Sequence, residues 1–89
     1  MKSRTTRQFR ELFSALPEHV QRQAREAYKI FQGNPSHPGL RFKKVHSDPD
    51  IYSARVGIGY RAVATVSGDG ATWFWIGSHA DYDRLLESL

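Results

Sequence analysis

Apolar side chains recur in the first third of the chain at Phe9, Leu12, Phe13 and Leu16, and again at Val20, Ala24, Ala27, Tyr28 and Phe31. Steps of three and four residues gather each set on one side of a helix, so the pattern predicts two amphipathic helices with their stripes turned inward. Thr5 stands three residues before Gln8 in a capping-box arrangement, and Pro17 suits the first turn of the second helix, where a missing N–H costs nothing. The two helices are expected to form a hairpin hinged near Leu16. Gly33-Asn34-Pro35, with Pro38 and Gly39 following, predicts a left-handed cap and then a block to further helix, leaving a loop over residues 33–39.

Beyond that loop the period falls to two. Leu40–Val45, Ile51–Val56, Tyr60–Val66 and Thr72–Gly77 are rich in β-branched and aromatic residues and read as strands. Ser67-Gly68-Asp69-Gly70 is turn chemistry, which makes the last two strands an antiparallel hairpin. Trp73, Phe74, Trp75 and Ile76 leave neither face of the last strand polar, as expected of a strand inside the sheet. Tyr82, Leu85, Leu86 and Leu89 then return to helical spacing, with Ser78 and Asp81 set as a second capping box. The chain is therefore expected to be one α+β domain over residues 1–89: an N-terminal helical hairpin packed on a small twisted, mainly antiparallel sheet, closed by a short C-terminal helix.

Composition narrows this picture. With 89 residues, 39% hydrophobic and 12% aromatic, there is material for one core. A chain of this size buries roughly 60–65% of the surface it exposes when unfolded, so single large core residues matter. No stretch approaches the roughly 20 apolar residues of a membrane span, and the expected location is cytoplasmic. Absence of cysteine removes disulfides, zinc-thiolate sites and cysteine nucleophiles together, and no cofactor or metal is expected. Thirteen Lys and Arg oppose nine Asp and Glu, a formal charge of +4, and the charge is unevenly spread. Residues 1–10 hold four bases and no acid, Arg41, Lys43, Lys44 and His46 cluster, and acids gather near 48–50 and 81–87. One basic face for an anionic partner follows, nucleic acid or an acidic protein.

The chemistry concentrates at residues 55–61, Arg-Val-Gly-Ile-Gly-Tyr-Arg. A phosphate-cradling glycine loop needs a strand before it, a helix after it and a third glycine, whereas Tyr60 opens a strand; the glycines read as a chain reversal. Loop length decides the rest. A two-residue turn at Ile58 and Gly59 sets Val56 opposite Arg61 and turns Arg55 to the other face. A three-residue loop, Gly57-Ile58-Gly59, pairs Arg55 with Arg61 on one face. Opposed like charges destabilise a strand pair, so the second arrangement calls for a bound anion. A hairpin near Gly68 and Asp69 also sets Arg61 roughly across from Gly77, two residues before His79. Arg55, Arg61 and His79 then converge, two guanidinium groups to neutralise a phosphate and an imidazole to move a proton.

With the helical hairpin ending in "NPSHPGLRFKKV", then "IYSARVGIGYRAV" and "WFWIGSHADYDRLL", the chain resembles the RelE/ParE superfamily, small basic toxins of bacterial toxin–antitoxin systems. The RelE-like branch consists of ribonucleases, many of which cut mRNA at the ribosome by attack of the ribose 2′-hydroxyl on the adjacent phosphate. The resemblance implies catalytic roles for Arg55, Arg61 and His79, RNA contacts from Lys43 and Lys44, and for Tyr82 the part of an aromatic that stacks on a base. It also implies an acidic antitoxin partner that wraps the helical hairpin and sheet, mRNA and the ribosome as further partners, and translation inhibition as the outcome. Two departures from the family pattern stand out. The arginine hairpin carries one residue more than many relatives, and Leu40-Arg41-Phe42 lacks the carboxylate that serves some as general base, which leaves His46, Lys43 or the substrate's surroundings for that role.

The same residues have plainer readings. His79 fits the first position of the last helix, Tyr82 completes that helix's apolar stripe, and Trp73 and Trp75 serve packing. Lys43 and Lys44 point to opposite faces, so at most one can serve the site. His46, Asp48 and Asp50 lack firm metal-ligand spacing. Two other functions compete with ribonuclease activity: inhibition of DNA gyrase by protein contact in the manner of ParE, and antitoxin binding alone in a diverged, non-catalytic member.

Overall fold

In a computed structural model describing residues Met1–Leu89, the elements run β1 (Lys2–Thr5), α1 (Arg7–Ser14), α2 (Glu18–Gly33), a 3-10 turn (Pro38–Leu40), β2 (Lys43–His46), β3 (Ile51–Val56), β4 (Tyr60–Ser67), β5 (Gly70–Ser78) and α3 (His79–Glu87). The strands form one sheet in the order β1-β5-β4-β3-β2. All contacts between neighbours are antiparallel except β1 with β5, which is parallel. This is the expected α+β architecture with one strand added. β1 carries no apolar alternation, being Lys-Ser-Arg-Thr and largely exposed, so nothing in its pattern marks a strand. Its two cations suit an edge, where they discourage pairing with another chain.

That strand corrects the expected helix start. Thr5 is committed to pairing with Trp73, and the cap of α1 is Thr6, whose hydroxyl accepts from Phe9 N–H at 3.1 Å. The hairpin itself is tied by Gln21, whose Nε2 donates to the Phe13 and Leu16 carbonyls at 3.1 Å each, bridging the end of α1 to α2. Helix α2 runs through Gly33 and stops at Asn34 in extended backbone, φ −157°, so the anticipated left-handed cap does not form. The left-handed residue is Arg41 instead, φ 46°, after the 3-10 turn has buried Leu40; β2 accordingly starts at Lys43 and not at Leu40.

The sheet separates two cores. One face packs under α1 and α2 through Val20, Phe31, Leu40, Ala54, Val56 and Trp73, with Phe31 edge-on to Trp73 at 5.3 Å. The other face is covered by α3 through Ile51, Val63 and Tyr82. Between α1, α2 and the sheet an apolar groove of about 840 Å³ remains, lined by Phe9, Phe13, Tyr28, Phe31 and Trp73.

A β-bulge joins these cores to the site. Along β4 and β5, Ala64 pairs with Trp73 but Val63 pairs with Trp75, so Phe74 is an extra residue. Trp73 therefore joins the α1/α2 core, whereas Phe74 and Trp75 pack on the α3 side. Strict alternation would have sent both tryptophans to one face. The bulge also advances the register by one, bringing Gly77 and not Ile76 opposite Arg61.

Candidate anion-binding and catalytic site

The Arg-Val-Gly-Ile-Gly-Tyr-Arg segment folds with the three-residue loop. Val56 pairs with Tyr60 and Arg55 with Arg61, while Gly57 takes φ +58°, a conformation costly for any residue with a Cβ. The next strand places Gly77 beside Arg61, as the register argument anticipated. His79 follows at the start of α3, and its backbone N–H donates to the Gly59 carbonyl at 2.8 Å, which fastens the helix start to the arginine loop. Arg61 and His79 thus both stand against the Tyr82 ring at one end of the sheet, on the face that α3 covers, and Arg55 is the cross-strand neighbour of Arg61.

Their surroundings differ. Arg61 is only 9% exposed, has no carboxylate partner, and leaves Nη1 buried without a hydrogen bond. Its guanidinium carbon lies 5.4 Å from the centre of the Tyr82 ring. Arg55 is half-buried, and its Nε donates to the Gly57 carbonyl at 2.9 Å. The His79 side chain is 54% exposed; Nδ1 lies 3.4 Å from Asp83 Oδ2, and the ring meets Tyr82 edge-on at 5.7 Å. Two cross-strand arginines without a carboxylate partner, one of them buried, leave N–H donors unspent, and the imidazole that shares the Tyr82 ring with Arg61 is open to solvent. Such a set can bind a phosphate and exchange a proton with it.

The remaining expected residues divide. Lys43 pairs with Ser53, two residues from Arg55 on the same strand, and so shares the face of the arginines. Lys44 pairs with Tyr52, lies on the opposite face, and binds Asp50 at 3.2 Å. Tyr82 is 4% exposed, and its hydroxyl donates to the fully buried Ser53 Oγ at 3.0 Å. Its ring offers no free face to a base in this conformation, so the stacking role does not fit. His46 pairs with Ile51 at the far end of β3, roughly 13 Å along the strand from Arg55, and so cannot act as a base within this site. His46, Asp48 and Asp50 also do not come together as a metal-binding group.

Two contributors escaped the pattern reading. Ser53 is a small polar residue inside an apolar strand, significant only as the acceptor for Tyr82. Gly77 lies beneath the Trp75 ring, where a Cβ would fall 2.7 Å from the indole. Trp75, half-buried, thereby covers the position opposite Arg61.

The ParE-like toxin domain family matches residues 18–84 through its family model. Among solved structures, the chain is similar to YafQ from E. coli strain BL21(DE3), with TM-score 0.71 and 10% identity over 91% of this chain and 96% of that one. A chain of the RelB–RelE antitoxin–toxin complex from Methanococcus jannaschii gives TM-score 0.71 and 22% identity over 90% and 95%. A chain of the intact E. coli RelBE toxin–antitoxin complex gives 0.66 and 18% over 86% and 94%. Compared with curated protein sequences, the chain finds no significant match. No helix is long and apolar enough to cross a membrane.

Proposed function

Because the chain belongs to the ParE-like toxin domain family, we propose that it is the toxin of a toxin–antitoxin pair and acts as a metal-free mRNA endoribonuclease at the ribosome, inhibiting translation. The observation that carries this reading is the pairing of Arg55 with Arg61 beside His79, with no carboxylate bound to either arginine. The two guanidinium groups neutralise the scissile phosphate as negative charge accumulates on its oxygens. The ribose 2′-oxygen attacks phosphorus, the bond from phosphorus to the 5′-oxygen breaks, and His79 delivers a proton to that leaving oxygen through Nε2. Lys43, on the same face, supplies charge along the RNA backbone. His46 lies away from the site and Lys43 acts there as a cation with no lone pair to offer, so the 2′-hydroxyl proton passes to solvent.

The apolar groove between α1, α2 and the sheet supports the antitoxin half of the proposal. Arg4, Arg10, Arg25 and Lys29 line it together with the aromatic residues, a surface suited to an acidic segment with apolar anchors.

Cleavage of mRNA in a translating extract tests the enzymatic reading. Wild-type protein is expected to cut, and His79→Ala and Arg61→Ala to lose at least about a hundredfold in rate, as is usual when an acid or a charge-stabilising donor is removed. Unchanged cleavage by both variants sinks the assignment. Inhibition of gyrase supercoiling without RNA cleavage would move the protein to the ParE-like binding class, and tolerance of unrestrained expression in cells would leave antitoxin binding alone.

A further inference from the structure

We propose that Tyr82 is a positioning residue for Arg61: its ring is the floor that aims the guanidinium at the anion, in place of a carboxylate. The inference rests on the reading of Arg61 as a phosphate ligand and assigns the tyrosine a part different from base stacking.

The ring is fixed from several directions. Its hydroxyl donates to Ser53 Oγ at 3.0 Å, and Ser53 has no exposed surface. Trp75 packs beside it with ring centres 6.4 Å apart and tilted by 41°, and His79 meets it at 5.7 Å with 70° between the planes. Against this ring stands the guanidinium carbon of Arg61, 5.4 Å from its centre.

The choice of partner has a chemical consequence. A carboxylate would accept two of the five guanidinium N–H groups and compete with phosphate for the same fork. An aromatic face attracts the cation through its quadrupole and uses none of them. Arg61 keeps its donors free, which agrees with its Nη1 being buried and without a hydrogen bond. Opposite Arg61, Gly77 brings no polar side chain to take up these donors, and what lies over it is the Trp75 indole. Tyr82 therefore holds the cation still while leaving its recognition surface unspent. The hydroxyl acts only by anchoring the ring to Ser53, so the aromatic face and not the hydroxyl is what phosphate binding requires.

The test follows the Arg61 side chain by NMR during titration with inorganic phosphate at low salt, in the wild type, Tyr82→Phe and Tyr82→Leu. Phosphate is expected to shift the Arg61 guanidinium resonances in the wild type, with affinity kept within twofold in Tyr82→Phe and weakened about fivefold or more in Tyr82→Leu. Equal affinity in wild type and Tyr82→Leu overturns the positioning role and leaves the phosphate-ligand reading intact. Loss in Tyr82→Phe as large as in Tyr82→Leu overturns it as well, because the hydroxyl would then be the requirement. Phosphate that moves no Arg61 resonance in the wild type removes both readings. Should Tyr82→Leu fail to fold, the wild type still decides: nuclear Overhauser contacts between Arg61 and the Tyr82 ring, persisting with phosphate bound, are expected, and their absence refutes the proposal.

Discussion

Replacing Arg61 with methionine should make the protein more stable and, at the same time, inactive. Arg61 is 9% exposed, pairs with no carboxylate, and has a buried Nη1 without a hydrogen bond. A buried donor left unsatisfied costs about 1–3 kcal/mol. The contact with Tyr82, 5.4 Å from guanidinium carbon to ring centre, returns about 0.5–2 kcal/mol. Methionine keeps an apolar stem against that ring and buries no charge, so Arg61→Met should gain about 1 kcal/mol, the direction expected when an unpaired buried cation gives way to a hydrophobic residue of similar length. In a chain of this size that gain raises Tm by about 4–8 °C. The assay is a thermal melt by circular dichroism in a buffer free of phosphate and sulfate, repeated with phosphate added. Binding to the native state alone stabilises the wild type by about 1.4 kcal/mol when phosphate reaches ten times its Kd, which should close the gap, while the variant should not respond. A variant that melts below the wild type in anion-free buffer, or that gains as much from phosphate, refutes the argument that stability is surrendered here for anion recognition.

Two other substitutions probe the layout of the face. Lys43→Ala should weaken RNA binding and lower the slope of log affinity against log salt by about 1, whereas Lys44→Ala, which removes a cation bound to Asp50 on the opposite face, should leave both near wild type in salt-series fluorescence anisotropy. Gly77→Ala forces a methyl group to within 2.7 Å of the Trp75 indole, so urea melts should report a loss of about 1–3 kcal/mol, with a change in tryptophan emission as the ring lifts.

The sequence was legible where local chemistry alone decides. Helical spacing from Phe9 to Phe31, the strand Ile51–Val56 and the Ser78 cap of α3 each follow from side chains within a few residues of one another. The arginine pairing was legible as one of two registers, because loop length fixes register once the flanking strands are known, and the three-residue loop decides between them. What escaped depends on partners distant in sequence. β1 exists because the β5 edge accepts a polar strand, and its own residues carry no signal for that. The bulge at Phe74 depends on how β5 must serve two cores, which alternation within one strand cannot reveal. Tyr82 fitted both an apolar stripe and a ligand contact on spacing grounds, and only the position of Ser53, 29 residues earlier, separates the two. His46 and Lys43 could be told apart as candidate bases only once β2 and β3 were in register.

The most direct test of the central claim is the chemistry of the cut ends. If Arg55 and Arg61 hold a phosphate that the neighbouring 2′-hydroxyl attacks, mRNA fragments produced by the purified toxin on translating ribosomes should carry a 2′,3′-cyclic phosphate, or the 3′-phosphate that forms from it, on one side and a 5′-hydroxyl on the other. A substrate with a single 2′-deoxy nucleotide at the cut position should resist cleavage. Fragments ending in 3′-hydroxyl and 5′-phosphate, or full cleavage of the deoxy-substituted RNA, would contradict the account.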